Sequence, residues 1–291
     1  MAKFSGIDFI YQLTELKKMT DSEFIDIANK HQLGHVAENL LKCARPALRS
    51  YWSALTDGTP KGLSYVGGSP TPCPEDWPQF DHEPMVFLGQ MHTADLPTSI
   101  SPVLLKEGVL QFYVCAQDDV LYDFPIPLGS GVVRFVEKGD FELSPMKKFV
   151  NLSLEPHPSI FHIAPYPDSP WLPRGVEKFE FRDGPDGDEW KYGEFRYEIM
   201  HNKWRVQMFG FADPEQDVME LGVETLDTNG MPEDATHEKL GHAYQKWTLL
   251  YALGDTFGRV ARFPGNYYFW IKAEDLAKSD FSRVWMCCQF S

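Results

Sequence analysis

The chain has 291 residues, 43% of them hydrophobic and 14% aromatic, with 42 acids against 27 bases for a formal net charge of −15. That composition excludes a disordered chain. The charge excludes a nucleic-acid or anionic-membrane binder built on a basic face, and permits a basic partner.

The first twenty residues, MAKFSGIDFIYQLTELKKMT, show no long apolar stretch and no small-residue cleavage site, so no signal peptide is expected. No apolar run reaches about 18 residues, so no membrane span is expected. Thr20 and Glu23 have the spacing of a capping box in front of EFIDIANKH. Leu33, Val36, Ala37, Leu40, Leu41 and Ala44 recur at helical spacing. Pro46 then predicts a kink or a fresh helix over RPALRSYWSAL. Residues 1–57 are therefore expected to form an N-terminal helical segment packed on a main domain spanning 58–291.

From Leu63 the pattern changes. PMVFLGQM and GVLQFYVC are short apolar runs that predict buried strands; SGVVRFVEK and KFEFRD alternate and predict half-exposed ones. Nine prolines between residues 124 and 174 predict a long surface connection. DGPDGDEWKYG reads as a turn cluster. The run PMVFLGQM followed by Gly108-Val-Leu-Gln-Phe112 is echoed by WTLLYAL followed by Gly265-Asn-Tyr-Tyr-Phe269. The fold class expected is α+β: N-terminal helices, then a mixed or antiparallel sheet domain with an internal duplication.

GGSPTPCPEDWPQF, residues 67–80, is too rich in proline for a helix or a central strand. Gly67 and Gly68 allow a turn with positive φ, and Trp77 is an anchor able to pin the segment to a sheet while it presents Glu75 and Asp76. YVGGSPTPCPEDWP, together with PMVFLGQM, GVLQFYV, QMFGFADPEQDVM and GNYYFWIKAEDLAKSDFSRVWMCCQ, resembles the YwqG-like family of bacterial proteins, a domain of unknown function, over about residues 60–290. The resemblance implies an α+β fold with an internal duplication and no established activity. By genomic company, some members resemble immunity proteins of bacterial toxin systems. Relatives often carry a polar or acidic residue in the strand written here LLYAL, and Trp-Gly-Asp where this chain has Phe263, Pro264 and Gly265.

Catalytic signatures do not emerge: there is no nucleophile elbow, P-loop or dinucleotide fingerprint. His31 and His35 are four apart but lack the Glu of a zinc-protease helix. His237 and His242 are off the one-turn spacing. The five scattered cysteines form no C-x-x-C pair and point to a reduced, cytoplasmic protein. Cys287 and Cys288, adjacent on a strand, point to opposite faces. Asp183, Asp186, Asp188 and Glu189 offer a loose acidic turn. No catalytic residue, metal or cofactor is assigned.

Between Val206 and Glu238 stand nine acids uninterrupted by Lys or Arg, mixed with apolar residues. They predict a structured acidic face, part strand and part loop, able to stand in for phosphates in a basic cleft. The functional expectation is a non-enzymatic binding protein, specifically an immunity protein that occludes the cleft of a cognate basic toxin such as a nuclease. The partner-binding residues are Glu75, Asp76, Trp77, Asp213, Glu215, Asp217, Glu220 and Glu224, with Trp171 and Trp190 as further loop aromatics. The alternatives are a hydrolase-like enzyme with a site assembled from distant residues, and a housekeeping interaction module.

Overall fold

The Thr20–Glu23 capping box forms as expected. Thr20 Oγ1 accepts from the Glu23 amide at 3.2 Å, and Glu23 Oε2 accepts from the Thr20 amide at 2.7 Å. It opens α1 (Asp21–Lys30), which is followed by α2 (Ala37–Cys43). The structure, a computed structural model, describes residues 19–51, 56–58, 62–96, 107–122, 126–139, 141–143, 146–151, 155–159, 182, 187–200, 204–213, 219–228, 246–254 and 265–290.

The helix expected after Pro46 is instead a strand, β1 (Arg45–Tyr51). Pro46 stands near its start, opposite Pro158, and tertiary pairing decides the conformation of the rest. There follow β2 (Thr56–Gly58), β3 (Tyr65–Gly67), a small hairpin of β4 (Gln79–Phe80) and β5 (Glu83–Pro84), β6 (Val86–His92), β7 (Gly108–Val114), α3 (Asp118–Tyr122) and β8 (Gly131–Glu137). The proline-rich stretch read as surface connection contains β9 (Met146–Asn151) and β10 (Glu155–Ser159). Pro156 and Pro158 are tolerated because β10 is an edge strand. The turn expected at DGPDGDEWKYG gives way at its second half to α4 (Asp188–Met200). The chain continues through β11 (Trp204–Phe209), α5 (Met219–Asp227), β12 (Trp247–Leu253), β13 (Asn266–Lys272), α6 (Ala273–Ala277) and β14 (Trp285–Gln289). KFEFRD lies, apart from Arg182, outside the described residues.

Two six-stranded antiparallel sheets result, one in the order β10-β1-β11-β12-β13-β14, the other β2-β9-β3-β6-β7-β8. They pack face to face over a core that includes Leu48, Leu88, Leu110, Phe112, Met208, Tyr251 and Phe269. Phe112 of β7 stacks on Tyr251 of β12 with ring centroids 4.0 Å apart. The echoed motifs occupy corresponding places: β6-β7-β8 end one sheet as β12-β13-β14 end the other. The leading strand of each half lies in the other half's sheet. β1 pairs with β10 and β11, and β9 pairs with β2 and β3.

The outer faces are covered separately. α5 lays Met219, Val223 and Leu226 over Trp247, Trp270 and Trp285. α1, α2 and α4 form their own cluster around Phe24, Leu40, Phe195 and Phe211. The alternation of β14 sends Cys287 under α5 and Cys288 into the inter-sheet core, so the adjacent thiols face apart as expected. Burial pushes the Cys287 thiol up to about 12.

Candidate functional site

The proline-rich rim answers to its glycines, its tryptophan and two buried amides. Gly67 and Gly68 have φ of 77° and 71°, a conformation that costs a residue with Cβ. Trp77 Nε1 donates to the Met85 carbonyl at 2.8 Å, and its ring meets Tyr113 edge-on at 5.6 Å. Gln90 and Gln111, opposite each other on β6 and β7 and wholly buried, hold the rest. The Thr71 amide donates to Gln90 Oε1 at 2.8 Å, and Gln111 Nε2 donates to the Pro72 carbonyl at 2.8 Å. The Tyr65 hydroxyl donates to the Ser69 carbonyl at 2.8 Å, and burial pushes its pKa up to about 12. The segment is thus stitched to the outer face of β3, β6 and β7, and Glu75 and Asp76 are left exposed at its tip. Sequence reasoning passed over the two glutamines; an amide within each of the apolar runs VFLGQM and GVLQF is the signal that marks them.

The acid-rich stretch behaves differently from an open acidic face. Residues 219–227 are helix α5, not strand or loop. Glu220 is buried, 6% exposed, and desolvation raises its pKa to about 7, against a lowering pull from Arg45. Glu224 accepts from Lys246 Nζ at 2.8 Å and from Trp247 Nε1 at 2.7 Å. Asp227 pairs with Lys272 Nζ at 2.5 Å and Arg283 Nη2 at 2.6 Å. Asp213 pairs with Arg196. The bases missing from the local sequence arrive from α4, β13 and the neighbourhood of β12 and β14, which a one-dimensional reading cannot see. Glu215 and Asp217 lie outside the described residues, as do Trp171, His237 and His242.

α4 is the third expected region, and its two sides differ. Inward, Tyr192, Phe195 and Ile199 pack on α1 and α2. At its first residue Asp188 is fully buried and accepts from Arg182 Nη2 at 2.7 Å and from the Arg182 amide at 2.8 Å. His35 Nε2 lies 2.9 Å from the same carboxylate. The bonds from Arg182 hold this carboxyl well below the usual range. Asp188 is therefore a clamp between α4 and the turn after α1, not an open calcium ligand; Asp183 and Asp186 lie outside the described residues. His31 Nε2 and Lys30 Nζ both reach Glu198, each at 2.7 Å. Outward, Trp190 is 77% and Tyr197 60% exposed. Seven residues apart, they share one helix face, with exposed Gly193 and Glu194 between them and Glu189 beside.

Among the described residues no group of three or more His, Cys, Asp or Glu is placed to hold a metal ion, and no helix is long and apolar enough to cross a membrane.

An α+β double sheet with these strand motifs is the setting in which the family comparison falls. The profile of the family described as a domain of unknown function (DUF1963) matches residues 64–289, and the chain belongs to that family. No curated protein matches.

Proposed function

We propose that this chain is a binding protein for a cationic protein partner, engaged through the outward face of α4. The observation that carries the reading is the exposure of Trp190 and Tyr197 on one helix face. Exposed large aromatics are the side chains that most often anchor protein interfaces, because they bring much apolar area at little conformational cost. Glu189 and Glu194 stand beside them, and the net charge of −15 speeds encounter with a basic surface. Glu75 and Asp76 on the rim offer a second exposed acidic pair. Asp213 and Glu224, committed to internal ion pairs, contribute to the field and little to contact.

The finer reading is an immunity protein of the YwqG-like kind, which acts in the cytoplasm and covers the basic cleft of a cognate toxin. The motif likeness and the acidic charge support it. Co-expression with the protein encoded beside it, followed by purification through a tag on this chain, tests it. A retained complex and rescued growth are expected. Substituting Trp190→Ala and Tyr197→Ala together is expected to weaken the complex by about tenfold or more. Full affinity in that double variant removes the α4 surface from the reading; no complex and no rescue removes the reading itself.

A further inference from the structure

We propose that α5 is a hinged cover over the tryptophan layer, pinned at its C-terminal end and released at its first turn when Glu220 loses its proton. The contacts of α5 fix how it lies. Asp227, its last residue, pairs with Lys272 at the end of β13 and with Arg283; Glu224 takes Lys246 and Trp247 at the start of β12. Trp247 and Lys272 are register partners. Glu220, in the first turn, is close enough to the Cys287 thiol of β14 to act on its charge, and Cys287 is the register partner of Tyr268. α5 therefore runs along the outer face of β13, its first turn above Tyr268 and Cys287 and its last above Lys272 and Trp247.

The two ends are held by different means. Glu224 and Asp227 give the last turn two lysines, an arginine and an indole as partners. The first turn has the apolar burial of Met219 and a carboxyl, that of Glu220, which is buried and which no side chain among the described residues bonds. The charged and titratable groups that face it are the Arg45 guanidinium of β1, which lies over the Phe211 ring, and the Cys287 thiol. The Tyr268 hydroxyl donates to the Asp213 carbonyl, and the Asp213 carboxylate pairs with Arg196. A carboxyl in such a place is stable while neutral; charged, it lacks both water and a bonded counter-ion. Gly222 separates the two ends, at a point where a helix is easily broken.

The layer beneath the cover is also the one with the least satisfied polar groups. Of the six buried side-chain nitrogen or oxygen atoms that lack a hydrogen-bond partner among the described residues, three stand here: Thr225 Oγ1 on α5 and the indole nitrogens of Trp270 and Trp285. Water reaching them on opening offsets part of the cost of exposing apolar surface. The direction with pH follows from the carboxyl. Burial raises the Glu220 pKa to about 7 in the closed state, against 4.5 when it is free. The closed state therefore has its full advantage below about pH 4.5 and loses it as pH rises through about 7. Opening bares Cys287 and leaves Cys288, on the other face of β14, within the inter-sheet core.

The test is alkylation of the full chain, with no cysteine replaced, by N-ethylmaleimide at pH 6 and at pH 8. Label on Cys287 and on Cys288 is read separately by fragment mass spectrometry. Each rate is divided by that of the same thiol in the urea-unfolded chain at the same pH, which removes the pH dependence of thiol reactivity itself. The corrected Cys287 rate is expected to rise about tenfold from pH 6 to pH 8, the factor that the closed and open Glu220 pKa values require. Cys288 is expected to label about tenfold or more slower than Cys287 at pH 8. Glu220→Gln, which cannot ionise, holds the corrected Cys287 rate level between the two pH values. Equal corrected rates at Cys287 and Cys288 overturn the proposal in favour of unfolding of the whole chain. A Cys287 rate in the parent that stays level, or one that rises as much in Glu220→Gln, overturns it as well. The Trp190→Ala, Tyr197→Ala variant labels like the parent, so failure here leaves the α4 reading standing.

Discussion

Two buried polar groups decide the local energetics at the residue scale. Glu220, in the first turn of α5, has a folded pKa of about 7, raised above its ordinary value of 4.5 by desolvation. A carboxyl whose folded pKa is raised favours the native state in its neutral form. Its contribution is full below about pH 4.5 and is lost as pH rises through about 7. Glu220→Gln is therefore expected to gain ~3 kcal/mol over the parent at pH 8 and little at pH 4.5, measured as urea unfolding at the two pH values. An equal gain at both would show that the side chain titrates normally. Tyr251 poses the opposite case. Its hydroxyl is buried and has no hydrogen-bond partner among the described residues, an arrangement that costs stability relative to a plain phenyl ring. Tyr251→Phe keeps the stack on Phe112 and is expected to raise stability by about 1 kcal/mol; a loss in urea midpoint would reveal a hidden partner.

Single elements succeed or fail through what their neighbours supply. α4 is the clearest. Its sequence has weak amphipathic patterning, and Gly193 interrupts it, so nothing local announces a helix over DEWKYGEFRYEIM. The Asp188 clamp and the apolar contacts to α1 supply what the sequence lacks. Asp188→Asn is expected to cost ~2 kcal/mol and to loosen α4 from the first two helices, seen as faster amide exchange over 21–43. Because the folded Asp188 pKa is depressed, its stabilisation is present above the usual carboxylate range and fades as pH falls. β6, β7 and β8 were legible for the converse reason: their apolar runs and alternation match their burial. β1, β9 and β10 were not, since proline and mixed polarity conceal strands whose partners are far along the chain. The acidic stretch failed in the same way. Its charges are local in sequence, but the lysines and arginines that take them up are local only in space.

Exchange of leading strands dominates the whole molecule. β1 stands between β10 and β11, inside one sheet and not at its edge. Removing residues 1–44 takes away α1 and α2 and exposes Phe195 and Phe211, yet leaves both sheets complete; the product is expected to keep a cooperative, weakened transition. Removing residues 1–58 opens a gap between β10 and β11 and is expected to abolish it. Far-UV circular dichroism with urea titration separates the two, and a fully cooperative 59–291 fragment would contradict the pairing. The duplication was visible in sequence as an echo between two hairpins. The exchange was not, because β1 and β9 carry no shared motif.

That exchange also sets the order in which the protein can be made. On the ribosome β1 emerges early, but Arg45 pairs with Ser159 and Ala47 with Phe209, so β1 must wait for the second half of the chain. The first half's sheet waits as well, for β9. The sheet β2-β9-β3-β6-β7-β8, drawn from residues 56–151, can close once β9 has emerged, whereas the other is complete only with β14 near the end of the chain. Long-range pairing of this kind slows folding; β1 stays unpaired and the first sheet's inner apolar face stays uncovered until the second sheet leaves the exit tunnel.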